Sequence, residues 1–390
     1  MVRIVVLGQG LVAAHLAIGI ERIKMGELEP IGVPLAKLDF EIPIESLEIV
    51  GSFDVDPSKV GRTLYEVSKE AVSGGLPIPE SLTKIRVERG IHAGSVRGLI
   101  KGAWGLDDEL GMEEAIERVA DRLSELRPDV IIDIITTEEA APFQSVEEIN
   151  RRVGEGRVSA SQAYALAALR YAEREARRIA FINGIPAPLA NDGVLVRMFE
   201  EQNSLIFGDD GATGATPLTA DLLEHLAERN RRVLSIAQFN IGGNLDFLAL
   251  TLPEKNRMKE YTKSSIVRDI LGYEAPHYIK PTGYLEPLGD KKFVSMHIAW
   301  KTFNGLEDEL VVNMRINDSP ALAGLLVDLA RIGYSLLERG YKGTVYEVNA
   351  FFMKKPGPPG STNMPRIRAY YSLVKLLEGI GALKTSGSPL

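Results

Sequence analysis

The stretch RIVVLGQGLVAAHLAIGIERIK, residues 3–24, decides the fold. Its β-branched and aliphatic run up to Leu7 reads as a buried strand, since Val and Ile pack well on a pleated surface. From Leu11 onward the apolar residues recur at helical spacing, which predicts a helix with one apolar face. Between strand and helix stands Gly8-x-Gly10-x-x-Ala13. Gly8 permits the tight turn, Gly10 lets the backbone approach a pyrophosphate, and the small Ala13 lets the helix pack closely on the strand. The helix N-terminus at Leu11 and Val12 would supply amide donors to the phosphates. A bare glycine turn would carry the same residues. The strand before it and the helix after it favour a dinucleotide site.

An acidic residue for the ribose 2′-OH is expected about 20 residues further on. Asp54, ending LEIVGSFD, lies at about twice that distance from Gly10. The Pro-containing segment LEPIGVPLAKLDFEIPIES, residues 28–46, accounts for the delay as an excursion between helix and second strand. An Asp at this place with no Arg beside it favours NAD over NADP. Thr136 and Thr137 follow the strand DVIIDIIT and have two readings, contact with the cofactor or closure of the sheet edge.

Strands and helices alternate through EEAIERVADRLSELR, SASQAYALAALRYAEREARR and IAFING, the pattern of parallel βαβ units. The pattern changes at IFGDDGATGATP, residues 206–217. Beyond it RVLSIAQFN, FVSMHIAWKTF and DELVVNMRIN are longer strands, alternating most plainly in the last two, as in a half-buried antiparallel sheet. Helices of the first kind return with PALAGLLVDLARIGYSLLERG and RIRAYYSLVKLLEGIG. The expected fold is therefore α/β, with a doubly wound Rossmann-type NAD-binding domain (residues 1–209 and 319–390, the latter ending in a tail) and an inserted α+β catalytic and oligomerisation domain (210–318).

The net charge of −8 argues against nucleic acid or an anionic membrane as partner, and an anionic substrate would need a local cluster of lysines. With no cysteine, disulfides, thiolate catalysis and Cys-held metals are excluded. The N-terminal apolar run is too short for a signal peptide and no run of 18 apolar residues follows, so a cytoplasmic protein without membrane contact is expected. The five histidines lack metal-ligand spacing, and neither a phosphate-binding GxxxxGK[ST] loop nor a GxSxG elbow occurs.

One further stretch is anomalous. NRMKEYTKSS, residues 256–265, sets Lys259 and Lys263 four apart on one helical face, where like charges repel by a few tenths of a kcal/mol. By spacing alone, either the lysines splay into water or an anion sits between them. Ser264 is likewise an anion ligand or an incidental helix residue.

FGDDGATGAT, FNIGGNLDFLAL, RMKEYTKSSIV, LGDKKF, INDSPALAGLLVDLAR and AFFMKKP occur in an order that resembles the myo-inositol-1-phosphate synthases, most nearly their shorter archaeal and actinobacterial branch. The likeness covers nearly the whole chain and is densest over residues 207–355. It implies conversion of D-glucose 6-phosphate to 1L-myo-inositol 1-phosphate: oxidation at C5 by NAD, enolisation, intramolecular aldol closure and reduction at C5. It also implies a homotetramer (or dimer), and leaves room for a divalent or monovalent cation that cannot be placed.

By this resemblance Lys259 and Lys263 lie around the C5 oxygen, Lys292 near the C1 carbonyl and phosphate, and Lys354 in the same catalytic set. Asp318 and Asp210 would orient lysines and bridge toward the nicotinamide. Asn240, Asn244 and Asp246 would hold phosphate or nicotinamide groups. Ala212 stands where many family members have the lysine of GDDxK, so that either the phosphate site is poorer in charge there or the work passes to Thr213 and backbone amides. Two other functions suit the same scaffold, an NAD-dependent dehydrogenase of a phosphorylated sugar and a catalytically silent NAD-binding sensor.

Overall fold

The computed structural model describes residues 1–72, 75–252, 255–256 and 265–384. The first six strands are β1 (Val2–Leu7), β2 (Leu47–Asp54), β3 (Val87–Arg89), β4 (Val130–Asp133), β5 (Ala180–Asn183) and β6 (Leu205–Phe207). They form one parallel sheet in the order β3-β2-β1-β4-β5-β6. The direction of winding reverses at β1, so a crevice opens at the carboxyl ends of β1 and β4, where doubly wound folds bind dinucleotides. Residues of β1 alternate between two cores. Ile4 and Val6 face the helices Leu11–Lys24 and Asp318–Glu338, while Val5 and Leu7 face Met112–Leu126 and Ala160–Arg174. β3 and β6, three residues each, are too short to show periodicity and were not legible in the sequence.

The helix Asp318–Glu338 is long and apolar enough to cross a bilayer. Here it lies in the core against the first helix, with Leu326, Leu329 and Ile332 fully buried. It also anchors the excursion before β2. Leu35 N donates to Asp328 Oδ2 at 2.7 Å, and Arg331 bridges Asp328 Oδ1 at 2.7 Å and Ile42 O at 2.6 Å. Burial pushes the Asp328 carboxyl up to about 6 against the pull of Arg331.

A second sheet comprises β7 (Arg232–Gly242), β8 (His277–Tyr284), β9 (Lys291–Lys301) and β10 (Glu307–Asn317), in the order β10-β9-β7-β8. Both β9 pairings are antiparallel, and β7 and β8 run parallel. β8 contains Pro281, which a central strand would reject and an edge strand tolerates. One face packs Ile236, Val294, Met296 and Ile298 on Leu223 and Leu226 of the helix Thr216–Ala227. The opposite face exposes Phe239, Tyr278 and Val311.

Candidate active site

At the β1 turn, Gly8 has φ +91°, and a Cβ there would lie 2.8 Å from Ile134 O and Ile135 N, so the segment just after β4 packs against the turn too closely for any side chain. A Cβ on Gly10 would meet nothing within 4 Å. Gly10 therefore faces open space, at the start of the helix Leu11–Lys24, whose first turn has no side-chain cap and no acid. Ala13 is buried in the core beneath the turn. Bare amides, an open approach and an anchored turn fit a pyrophosphate.

Asp54 ends β2 beside this turn. Its Oδ2 accepts from Gln9 N at 2.8 Å, and Oδ1 accepts from Val55 N at 2.8 Å and Asp56 N at 2.9 Å. Lys59 Nζ stands 3.3 Å from Oδ2, a cation beside the acid expected to meet the ribose that the absence of an adjacent Arg had not suggested. The wall opposite comes from the segment after β4. There Thr137 Oγ1 donates to Asp246 Oδ1 at 2.8 Å, tying the first sheet to the segment after β7. Below the wall, Asp133 is fully buried with Oδ2 unpartnered, and burial pushes its carboxyl up to about 7.

Two lysines reach the crevice by different routes. Segment 209–212 runs antiparallel to 352–355, with Lys354 N donating to Asp210 O and Ala212 N to Phe352 O, each at 2.7 Å. This ladder places Lys354 Nζ 2.9 Å from Asp210 Oδ1, and both side chains are buried. Asp210 holds φ +63°, a left-handed conformation that Asp tolerates better than most residues. Its neighbour Asp209 accepts from the Leu189, Ala190 and Asn191 amides and from both Asn183 and Asn191 side chains, and so pins the loop.

The second lysine, Lys292 near the start of β9, lies 3.4 Å from Asp318 Oδ2 and 5.4 Å from the centre of the Phe247 ring. Asp290 braces this pair: it accepts from Ser319 N at 3.0 Å, Ser319 Oγ at 2.6 Å and Asn244 Nδ2 at 3.1 Å. Asp290 was not singled out from sequence, although it stands in the LGDKKF stretch beside Lys292.

A cavity of about 320 Å³ joins these parts, lined by Gly10, Leu11, Val12, Thr136, Thr137, Asp210, Thr213, Asn244, Asp246, Lys292, Asp318 and Lys354. A smaller cavity of about 60 Å³ continues from it past Gly8 to Asp54. Most of the residues expected at the site thus converge, with three qualifications. Asn240 lines neither cavity; it is buried in β7 with its amide donating to Lys280 O at 3.0 Å. Asn244 lines the cavity, but its side chain also caps the helix Leu245–Ala249 through Phe247 N at 3.1 Å. Lys259, Lys263 and Ser264 lie outside the described residues. Among the described residues no group of three or more His, Asp or Glu is placed to hold a metal ion.

A model of the myo-inositol-1-phosphate synthase family matches residues 214–319. The chain is 51% identical to a Thermotoga maritima protein whose crystal structure is described as myo-inositol-1-phosphate synthase-related, over 98% of both chains, with a TM-score of 0.90. It is 26% identical to the inositol-3-phosphate synthase of Mycobacterium tuberculosis, over 91% of each chain. The inositol-3-phosphate synthase of Caenorhabditis elegans has the same fold, with a TM-score of 0.79 at 19% identity over 99% of this chain and 86% of that one.

Proposed function

Because this chain belongs to the myo-inositol-1-phosphate synthase family, we propose that it converts D-glucose 6-phosphate to 1L-myo-inositol 1-phosphate with NAD. The observation that carries this reading is that two buried lysines, each beside a carboxylate, share one cavity with a dinucleotide turn. A plain nucleotide sensor has no use for ammonium groups beside the nicotinamide end. NAD, when bound, supplies hydride removal at C5 and its return, so the overall reaction has no net redox change.

The protein's own part is electrostatic. Lys292 neutralises charge on the C1 oxygen and the phosphate, and Lys354 assists from the opposite wall. Preformed positive charge in a water-poor site is worth far more than in solvent, because nothing must reorganise as the oxyanion forms. Asp318 and Asp210 hold the two ammonium groups in place. Thr136, Thr137 and Asp246 flank the nicotinamide, and Thr213 with nearby backbone amides replaces the lysine absent at Ala212. Lys259 and Lys263 act on the C5 oxygen, an assignment that rests on the sequence match. Asn240 acts only through the sheet.

The same reading divides the chain at Asp210 and Asp318 into a nucleotide-binding domain and an inserted catalytic one. It also makes the protein a homotetramer. The outer face of the second sheet supports this, since Phe239 and Tyr278 pack there in a tilted pair with ring centres 5.7 Å apart while exposed to solvent.

Incubation with glucose 6-phosphate and catalytic NAD, followed by phosphorus NMR and absorbance of the reduced cofactor, tests the activity. Inositol 1-phosphate should form without NADH accumulating. NADH rising in step with product would make the protein a dehydrogenase, and absence of any turnover would leave the sensor.

A further inference from the structure

The loop after β2 carries a side-chain arrangement that the reaction does not use. We infer that Asp56 and Lys59 set the preference for NAD over NADP, with Lys59 held between two carboxylates as a displaceable counter-ion. This inference rests on the dinucleotide reading of the β1 turn.

A carboxylate offers about four acceptor positions. On Asp54 three are taken by backbone amides: Gln9 of the turn, and Val55 and Asp56 directly behind. The fourth faces the Lys59 ammonium at 3.3 Å. Those amides are fixed by the chain, whereas a lysine side chain can swing. A ribose diol therefore reaches Asp54 by displacing Lys59, which lines both parts of the cavity.

Asp56 supplies the place for Lys59 to go, since its Oδ2 is already 3.5 Å from the Lys59 ammonium. Its other oxygen accepts from Ser58 N at 2.9 Å and Ser58 Oγ at 2.6 Å, and its carbonyl takes Lys59 N at 2.9 Å. Asp56 thus both shapes the turn that presents Lys59 and retains its ammonium. It is ionised at neutral pH, because burial, which opposes ionisation, is outweighed by the Ser58 hydrogen bonds and Lys59.

Two carboxylates against one ammonium leave an excess negative charge where a 2′-substituent would lie. A neutral 2′-hydroxyl is indifferent to that charge, but a 2′-phosphate is repelled. Neutralising Asp56 cancels the excess and frees Lys59 to meet the phosphate.

The test is isothermal titration of NAD and NADP, without substrate, into the full-length protein and its variants. Asp56→Asn keeps the acceptor for Ser58 and should tighten NADP about tenfold while NAD stays within about twofold. Asp56→Asn combined with Lys59→Gln should lose that gain. Lys59→Gln alone does not depend on how the turn tolerates Asp56→Asn, and should weaken NADP about tenfold with NAD within about threefold. An unchanged NADP-to-NAD ratio in Asp56→Asn, or a gain that survives in the double variant, overturns the inference while the dinucleotide site stands. Absence of NAD binding to the unaltered protein overturns both.

Discussion

Lys354 and Asp210, 144 residues apart in the chain, are joined twice, ammonium to carboxylate at 2.9 Å and amide to carbonyl at 2.7 Å. The backbone bond sets the register of two segments, one following β6 and the other following the helix Tyr346–Phe352, and the side-chain pair uses that register to fix a positive charge in the cavity. Replacing Lys354 by Ala should lower kcat at least about 100-fold, the scale of a lost oxyanion partner. NAD affinity, measured by calorimetry, should change only a few-fold. Arg should not restore activity, because its broad planar fork cannot occupy a slot where the lysine is only 3% exposed. Steady-state kinetics of the two variants decide the matter.

Gly214 reads out the position of the other lysine. A Cβ at this residue would fall 2.7 Å from Lys292 Nζ, at φ +74°. Gly214→Ala should cost about 1 kcal/mol of stability through its left-handed backbone, and it should also push the ammonium away from Asp318. Activity should then fall far more than thermal stability does. Equal loss of both would show that Lys292 matters only to folding.

The two turn glycines should fail in different ways. Gly8→Ala drives a methyl group into the Ile134–Ile135 backbone after β4 at 2.8 Å, where nothing can give, and should destabilise the fold by about 2–4 kcal/mol. Gly10→Ala places its methyl in open space and should leave the melting temperature within a few degrees. It should nevertheless abolish NADH binding followed by fluorescence, because the methyl occupies the pyrophosphate approach.

Asp133 predicts a pH dependence of stability. Its folded-state value of about 7 lies above the ordinary 3.8, because the ionised form is desolvated. Between these values the folded state holds a proton that the unfolded state has lost, so this group makes stability fall as pH rises toward 7. The full effect is at most about 4 kcal/mol. Asp133→Asn removes the titration, so urea unfolding at pH 5 and pH 8 should show a smaller loss in the variant than in the native protein. Equal losses would mean that Asp133 does not titrate in this range.

The exposed aromatic pair predicts assembly. Phe239→Asp puts a charge on a face where Phe239 is 45% exposed and packs beside Tyr278. Sedimentation should show a smaller species than the native protein, with the far-ultraviolet circular dichroism unchanged. A native protein that is already monomeric would remove the tetramer from the proposal.

Much of the site was legible from local pattern. Gly8, Gly10 and Ala13 act within one strand–turn–helix unit, where geometry depends on sequence neighbours, and the long helices announce themselves by apolar period. The lysine sites were visible only through family likeness, since nothing local to AFFMKKP says which carboxylate awaits Lys354. Asn240 shows the reverse case: an asparagine in a matching stretch is engaged inside a sheet, which its local sequence does not reveal. Lys59 and Asp290 escaped notice because their importance lies in the partner each meets.

By itself, then, the amino-acid order determined the alternation of strands and helices, the glycine turn after β1 and the change of style near Asp210, all properties carried by periodicity and by the conformational freedom of single residues. Tertiary structure alone decided that Asp210 meets Lys354 and that Asp318 meets Lys292. Chain periodicity acts over a few residues. A charge buried in a low-dielectric crevice is held by whatever the packing of distant elements brings within about 4 Å of it.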